Sequence, residues 1–151
     1  HKYAAGLKLK KSNLDIFKNQ FESIVKDSVG YKMFTRSFYY DLLIDFSKLT
    51  VENIKIIQRM APFGLGNKRP VFRTNNCFID SKLKFLGKDQ QIVKSIIKDE
   101  YETKLSFICF NKKSDLVGLK SPFDILYNVN LNTFSGQETV ELTIRELYIK
   151  K

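Results

Sequence analysis

Lys82, Lys84, Lys88, Lys94 and Lys98 stand close together, with Arg69 and Arg73 just before them. Ammonium and guanidinium groups in such a cluster bind phosphate oxygens. A concentrated basic stretch on a small domain is the electrostatic footprint of a polyanion partner, most often nucleic acid. The unevenness of the charge matters more than its total. Of a formal net charge of +10, residues 1–11 hold +4 (Lys2, Lys8, Lys10 and Lys11) and residues 59–98 hold +7, while 12–58 sum to 0 and 99–151 to −1. Lysine outnumbers arginine by 21 to 5, which by itself would mark lysine as a default solubilising residue. A general lysine bias should also have loaded residues 99–151, and it has not.

Other chemistries find little support. His1 is the only histidine, so no zinc constellation can be assembled around it. Asp-His-His and Asp-x-Asp are both absent, and no nucleophile has a base at a telling spacing. Cys77 and Cys109 sit among apolar neighbours (Asn76-Cys77-Phe78-Ile79 and Phe107-Ile108-Cys109-Phe110) and read as reduced core thiols, although spacing alone leaves a pairing open. The segment Gly64-Leu65-Gly66 could open a dinucleotide fingerprint. Position 69 is Arg, however, and a strand follows where a helix is required.

The elements that must position the cations follow from periodicity. In 13–28, Leu14, Phe17, Phe21, Ile24 and Val25 recur at spacings of three and four, which predicts an amphipathic helix stopped at Gly30. Residues 37–46 are aromatic and apolar enough for a strand. Thr50 caps a second helix reaching Met60, and Pro62 ends it. The stretch 61–70, with two of the three prolines and two of the seven glycines, marks a turn or an interdomain junction. Beyond it the period is two. Strands are predicted over 71–86, 91–98, 103–110, 122–132 and 138–149, with a helical turn inside 111–121. In the fourth, Phe123, Ile125, Tyr127, Val129 and Leu131 alternate with polar partners. In the fifth the phase slips after Ile144, as a bulge produces. Phe85 and Tyr127 read as core.

The fold class is therefore α+β: a small α/β remnant over 1–58, a linker over 59–70, and a five-stranded Greek-key barrel over 71–151. That count, with a helical turn between the third and fourth strands, matches the oligonucleotide/oligosaccharide-binding (OB) fold. Strand order cannot be read from periodicity, so an SH3-like barrel or a sandwich piece satisfies the same pattern. In an OB barrel, Lys82 and Lys84 share a face, Lys94 and Lys98 share a face of the next strand, and Phe134 at a hairpin tip can stack on a base or pack back over the barrel end.

Two motifs carry a family resemblance, and a third supports it. His1-Lys2-Tyr3-Ala4-Ala5-Gly6-Leu7 resembles the second half of the Gly-Gly-His-x-x-Ala-Ala-Gly signature of DHH-associated domains. Ala61-Pro62-Phe63-Gly64-Leu65-Gly66-Asn67-x-x-Pro70-Val71-Phe72 resembles the Glu-Pro-Phe-Gly-x-Gly-Asn-x-x-Pro-x-Phe junction of RecJ single-strand DNA exonucleases. Phe134-Ser135-Gly136-Gln137-Glu138 is similar to that family's late Asn-Gly-x-Glu hairpin. The matches fall in family order and span the chain. Ala61 departs from the usual Glu, and Lys68-Arg69 from a commonly neutral or acidic pair.

The resemblance implies the C-terminal part of a metal-dependent 5′→3′ exonuclease of DNA repair and recombination. Its Mn²⁺ or Mg²⁺ would be held by an N-terminal catalytic domain that this chain does not contain, and no metal site is expected here. His1 would match the family's histidine near the scissile phosphate, idle without those metals, or else be the stub of a tag. Ala5 and Gly6 would allow backbone to approach phosphate. The expected partners are single-stranded DNA and the missing catalytic domain, in a monomer. A rival reading has the barrel dock on the catalytic domains or on another repair protein.

No apolar run approaches the roughly 18 residues that a membrane helix needs, and the chain shows no basic-apolar-small leader and begins at His1 without a methionine, so a soluble, cytoplasmic, bacterial setting is expected for what reads as a piece of a longer protein. Incubated with 5′-labelled oligonucleotide and Mn²⁺, this chain should leave the label intact, because two-metal chemistry needs ligands it lacks. Metal-dependent release of mononucleotides would overturn the domain assignment.

Overall fold

Alternating side chains and one change of strand partner shape most of this molecule. The structure, a computed structural model, describes residues 4–29, 37–111 and 113–149. It divides into two compact units, His1–Phe38 and Tyr39–Lys151.

The first unit holds helix α1, Leu14–Val29, within a residue of the predicted span and entered through a 3-10 turn at Lys11–Asn13. Neighbours four apart stabilise it: the Phe17 and Phe21 rings stack at 5.6 Å, and Lys26 meets Glu22 at 2.8 Å. The proposed stop at Gly30 lies outside the described residues.

The second unit contains β1 (Leu42–Leu43), α2 (Val51–Gln58), β2 (Phe72–Ile79), β3 (Lys84–Leu86), β4 (Ile92–Lys98), β5 (Lys104–Phe110), the helical turn α3 (Lys113–Leu116), β6 (Phe123–Phe134) and β7 (Gln137–Ile149). Seven strands form one sheet in the order β1-β2-β6-β7-β5-β4-β3, and a further pairing of β2 with β4 brings the sheet back on itself. Strand β2 runs along β6 as far as Cys77 opposite Phe123, then along β4 from Phe78 opposite Lys98. The exchange happens at a bulge between Thr74 and Cys77, where Asn76 takes a φ of 53°. Asn is among the few side chains that tolerate that conformation.

A buried carboxylate holds the bulge. Asp124 on β6, 2% exposed, accepts the Asn76 amide at 3.1 Å and the Arg73 guanidinium at 2.7 Å. The long predicted strand 71–86 is interrupted at 80–83, but β3 continues along the same partner as β2, with Lys84 opposite Lys94 and Leu86 opposite Ile92. On the other long hairpin, Leu126 faces Glu146 while Tyr127 faces Ile144. Arg145 is the extra residue, at the point where the phase slip placed a bulge.

The structure departs from the sequence pattern before β2. Of the apolar stretch 37–46, only Leu42–Leu43 pairs, parallel to Phe72–Arg73. The chain then turns into a 3-10 turn at Phe46–Lys48 because Phe46 is drawn inward. Its amide donates at 2.9 Å to Asp99, a buried carboxylate that also accepts the Tyr101 and Thr103 amides. Thr50 caps α2 as expected, accepting the Asn53 amide at 3.2 Å, and buried Ile54 joins the core with Phe46 and Leu49. Residues 40–58 therefore pack with the sheet, and the division between units falls at Phe38 and Tyr39, well before the predicted linker at 59–70.

That linker is a clamped turn. Gly64 and Asn67 exchange backbone hydrogen bonds, Gly66 takes a φ of 87°, and the Asn67 amide donates to the carbonyls of Met60 and Pro62. Only glycine adopts such a φ without strain.

At the centre of the core, Tyr127 is fully buried, between Phe46 and Phe72 with both ring centroids at 6.1 Å. Its hydroxyl shares a 2.7 Å hydrogen bond with Thr74, whose own hydroxyl donates to the Ile44 carbonyl. Phe85 packs against this core, partly buried.

Asp124→Ala should lower stability by roughly 2–4 kcal/mol, since it removes the acceptor of a part-buried amide and the carboxylate partner of a half-buried guanidinium. Urea denaturation followed by tyrosine fluorescence measures this; a loss below about 0.5 kcal/mol, the level of an ordinary surface change, would remove Asp124 from that role. Cys77 and Cys109 are not joined in a disulfide and are fully buried, and burial pushes the Cys77 thiol well above its ordinary range. A thiol held neutral is a poor nucleophile. At pH 8 both cysteines should react with a maleimide only after denaturant is added. Prompt labelling of the native chain would contradict their placement.

Candidate nucleic-acid interface

Strands β4 and β5 bury one face and offer the other to solvent. Val93, Ser95, Ile97, Phe107 and Cys109 point into the core. The alternate residues point outward, and register sorts them into rows, because directly opposed residues share a face. Leu86, Ile92 and Phe110 form one row, and Lys84, Lys94, Ile108 and Thr143 the next. Ile96, Ser106 and Glu141 follow, then Lys98 opposite Lys104. Leu86, Ile96 and Phe110 are all exposed. An apolar and aromatic row thus lies beside a row of ammonium groups, the pattern a nucleic-acid strand needs for its bases and its phosphates.

The predicted lysines fall into two groups. Lys82, Lys84 and Lys88 are exposed on the β2–β3 connection, on β3 and in the β3–β4 turn, and none has an ion-pair partner among the described residues. Lys94 and Lys98 are brought to the same outer face but are already engaged. Lys94 contacts Glu141 at 3.0 Å, and Lys98 contacts Glu102 at 2.8 Å and Asp80 at 3.9 Å. The hydrogen bond to Glu102 raises the Lys98 pKa above its ordinary value, so it remains protonated. Lys104, which the sequence did not single out, contacts Asp80 at 2.8 Å.

The two arginines are not free either. Arg73 is tied to Asp124, hydrogen-bonds Asn75 at 2.9 Å and lies over the Tyr40 ring at 5.4 Å. Arg69 donates to Asn130 and lies over Phe63 at 5.2 Å, on the rim of a groove formed by α2, the 61–70 turn and β6. Phe134 is different. A two-residue turn, Ser135 at φ 51° and Gly136 at φ 80°, joins β6 to β7 and leaves Phe134 78% exposed. Ala5 and Gly6 are exposed, and a Cβ on Gly6 would meet nothing within 4 Å. His1 lies outside the described residues.

Phe110 is the aromatic side chain that the sequence reading missed. Its signal was available: Leu105, Phe107 and Cys109 fix the inward phase, which leaves Phe110 pointing out. Among the described residues no three His, Cys, Asp or Glu side chains could hold a metal ion together, and no helix is long and apolar enough to cross a membrane.

A family model described as the RecJ OB domain matches residues 40–146, most of the chain and nearly all of the sheet unit. The chain belongs to the RecJ OB-domain family. It is similar over its whole length, at 24% identity, to the single-stranded-DNA-specific exonuclease RecJ of Bacillus subtilis (strain 168), and spans 19% of that protein. It also resembles two crystal structures of RecJ from Thermus thermophilus. The one in complex with Mg²⁺ matches with a TM-score of 0.62 at 18% identity, over 95% of this chain and 21% of that one. The one in complex with Mn²⁺ matches with a TM-score of 0.64 at 18% identity, over 97% of this chain and 20% of that one. At that identity the likeness concerns the fold, a mostly β, OB-like arrangement in a region corresponding to about a fifth of a RecJ chain. The described residues do not fit the ions in those crystals, for they offer no ligand set.

Proposed function

We propose that this chain is the single-stranded-DNA-binding region at the C-terminal end of a RecJ-type 5′→3′ exonuclease. On this reading it is a monomeric part of a cytoplasmic bacterial repair enzyme that guides the strand to a catalytic domain elsewhere in the parent protein. Mn²⁺ or Mg²⁺ would belong to that domain, and His1, Ala5 and Gly6 would face its phosphate. The OB domain would be a five-stranded Greek-key barrel. Taking β2 and β3 as one interrupted strand, and β1 as an addition, gives that count. The observed order and the parallel β5–β7 pairing support it.

One observation carries the proposal: the outer face of β3, β4 and β5 sets Leu86, Ile92 and Phe110 beside Lys84 and Lys94, with Lys82 and Lys88 in the connections at the two ends of β3. Phosphates would be met by lysines, which are point charges without base preference. Bases would rest on Phe110 and, at the hairpin tip, on Phe134. Stacking of this kind is sequence-tolerant because every base has a π-face. Point charges and stacking carry no base preference, so binding without base specificity is the expected mode.

The lysine and aromatic contributions separate by salt. Binding of a labelled oligonucleotide should weaken with a log–log slope of about −0.7 per phosphate neutralised. The double change Lys84→Gln and Lys88→Gln should flatten that slope by about 1.4 and weaken binding alike for all sequences. Phe110→Ala should weaken binding by about 1–3 kcal/mol with the slope unchanged, because stacking releases no counterions. Fluorescence anisotropy across a salt series measures both. If this domain docks only on protein, binding near physiological salt is negligible and indifferent to all three substitutions.

A further inference from the structure

Half of the cationic face arrives with its counter-charge attached. Glu141 lies on β7 in the row next to Lys94, and its side chain is only 15% exposed where it receives the Lys94 ammonium. Asp80, 20% exposed, sits between Lys98 and Lys104, and Glu102 covers Lys98 from the β4–β5 turn. Lys82, Lys84 and Lys88, along the β3 edge of the face and in the connections at its two ends, have no carboxylate partner among the described residues.

We propose, resting on the reading that this face binds single-stranded DNA, that Glu141 and Asp80 are internal competitors of the DNA phosphates and divide the face into a firm β3 edge and a loose part on β4 and β5. A phosphate approaching Lys94 must share or displace Glu141. Glu141 cannot retreat far, because its backbone is paired on both sides, to Asn130 on β6 and to Ser106 on β5. The displaced carboxylate therefore stays near the phosphate and repels it. Lysines neutralised in this way release few bound salt ions when DNA arrives, so they add little to affinity or to its salt dependence. Lys82, Lys84 and Lys88 carry the salt-dependent grip. Lys94, Lys98 and Lys104 lend contact that is readily broken, which suits a strand that must be held and still move.

The test removes single negative charges from the intact chain and measures affinity for a labelled thymidine oligomer of about 16 nucleotides, the upper range for one OB fold. Glu141→Gln should tighten binding about two- to fivefold near 0.1 M salt, the range of a modest ion pair, and steepen the salt slope by about 0.7. Asp80→Asn, which frees Lys104 while Lys98 keeps Glu102, should do the same to a similar degree. Glu138→Gln is the control. Glu138 also lies on β7 but pairs with Lys55 of α2, away from this face, so it changes net charge equally without freeing a face lysine. Thermal unfolding confirms that each variant is folded; if one is not, the others decide. Tightening by Glu141→Gln or Asp80→Asn without tightening by Glu138→Gln supports the proposal. Unchanged or weaker binding in both face variants, with the wild type still binding in a salt-dependent way, overturns the competition alone. Equal tightening by Glu138→Gln also overturns it, leaving net charge as the cause. A wild type that does not bind overturns the DNA reading, and this proposal with it.

Discussion

Asp124 is the side chain on which the closed sheet depends. A strand that pairs with one neighbour and then with another must bend, and a bulge disrupts the ladder locally. Here the bulge carries Asn76, in a conformation with positive φ, and the Asp124 carboxylate accepts its amide from the adjacent strand. The same carboxylate holds Arg73, so a charge that would be costly to bury alone is matched by a guanidinium. Because the bulge is fixed, β2 can leave β6 at Cys77 and meet β4 at Phe78. Without that exchange β4 would lose its pairing with β2. The outer face of β4 and β5 would lose the support beneath its lysines.

Asp99 does comparable work for the segment ahead of β2. Three backbone amides, from Phe46, Tyr101 and Thr103, converge on one buried carboxylate. It joins the β4–β5 turn to a residue far away in the chain. Together with the Tyr127–Thr74–Ile44 hydrogen-bond chain, this makes residues 40–58 part of the sheet unit. Buried polar groups of this kind are useful only when every member is satisfied. Among the described residues no buried side-chain nitrogen or oxygen lacks a partner.

The electrostatics follow from the same economy of placement. Excess lysine in 59–98 looked like one strip, yet the fold gives Lys94, Lys98 and Lys104 acidic neighbours drawn from Asp80, Glu102 and Glu141. What stays unpaired is concentrated on β3 and the connections at its two ends. Arg73 and Arg69 serve architecture: Arg73 holds the bulge carboxylate, and Arg69 joins the clamped 61–70 turn to β6.

Local physics made much of this legible in the sequence. Period-two alternation located the strands from β2 to β7, down to the bulge at Arg145, since burial of one face imposes that period on any sheet residue. Thr50 announced α2, because a hydroxyl there accepts an otherwise orphaned amide. The inward phase of β5 even determined that Phe110 faces out. Tertiary structure alone decided the rest, because the interactions responsible join residues far apart in the chain. Phe46 left its predicted strand to reach Asp99. The strand predicted over 71–86 broke at 80–83, where the Ser81 hydroxyl bonds Ser95 and the Asp80 amide donates to the Ile96 carbonyl. Which lysines keep a free charge was also beyond the sequence. Lys94 and Glu141 are distant in the chain and meet only because β5 lies between β4 and β7, an order that no periodicity records.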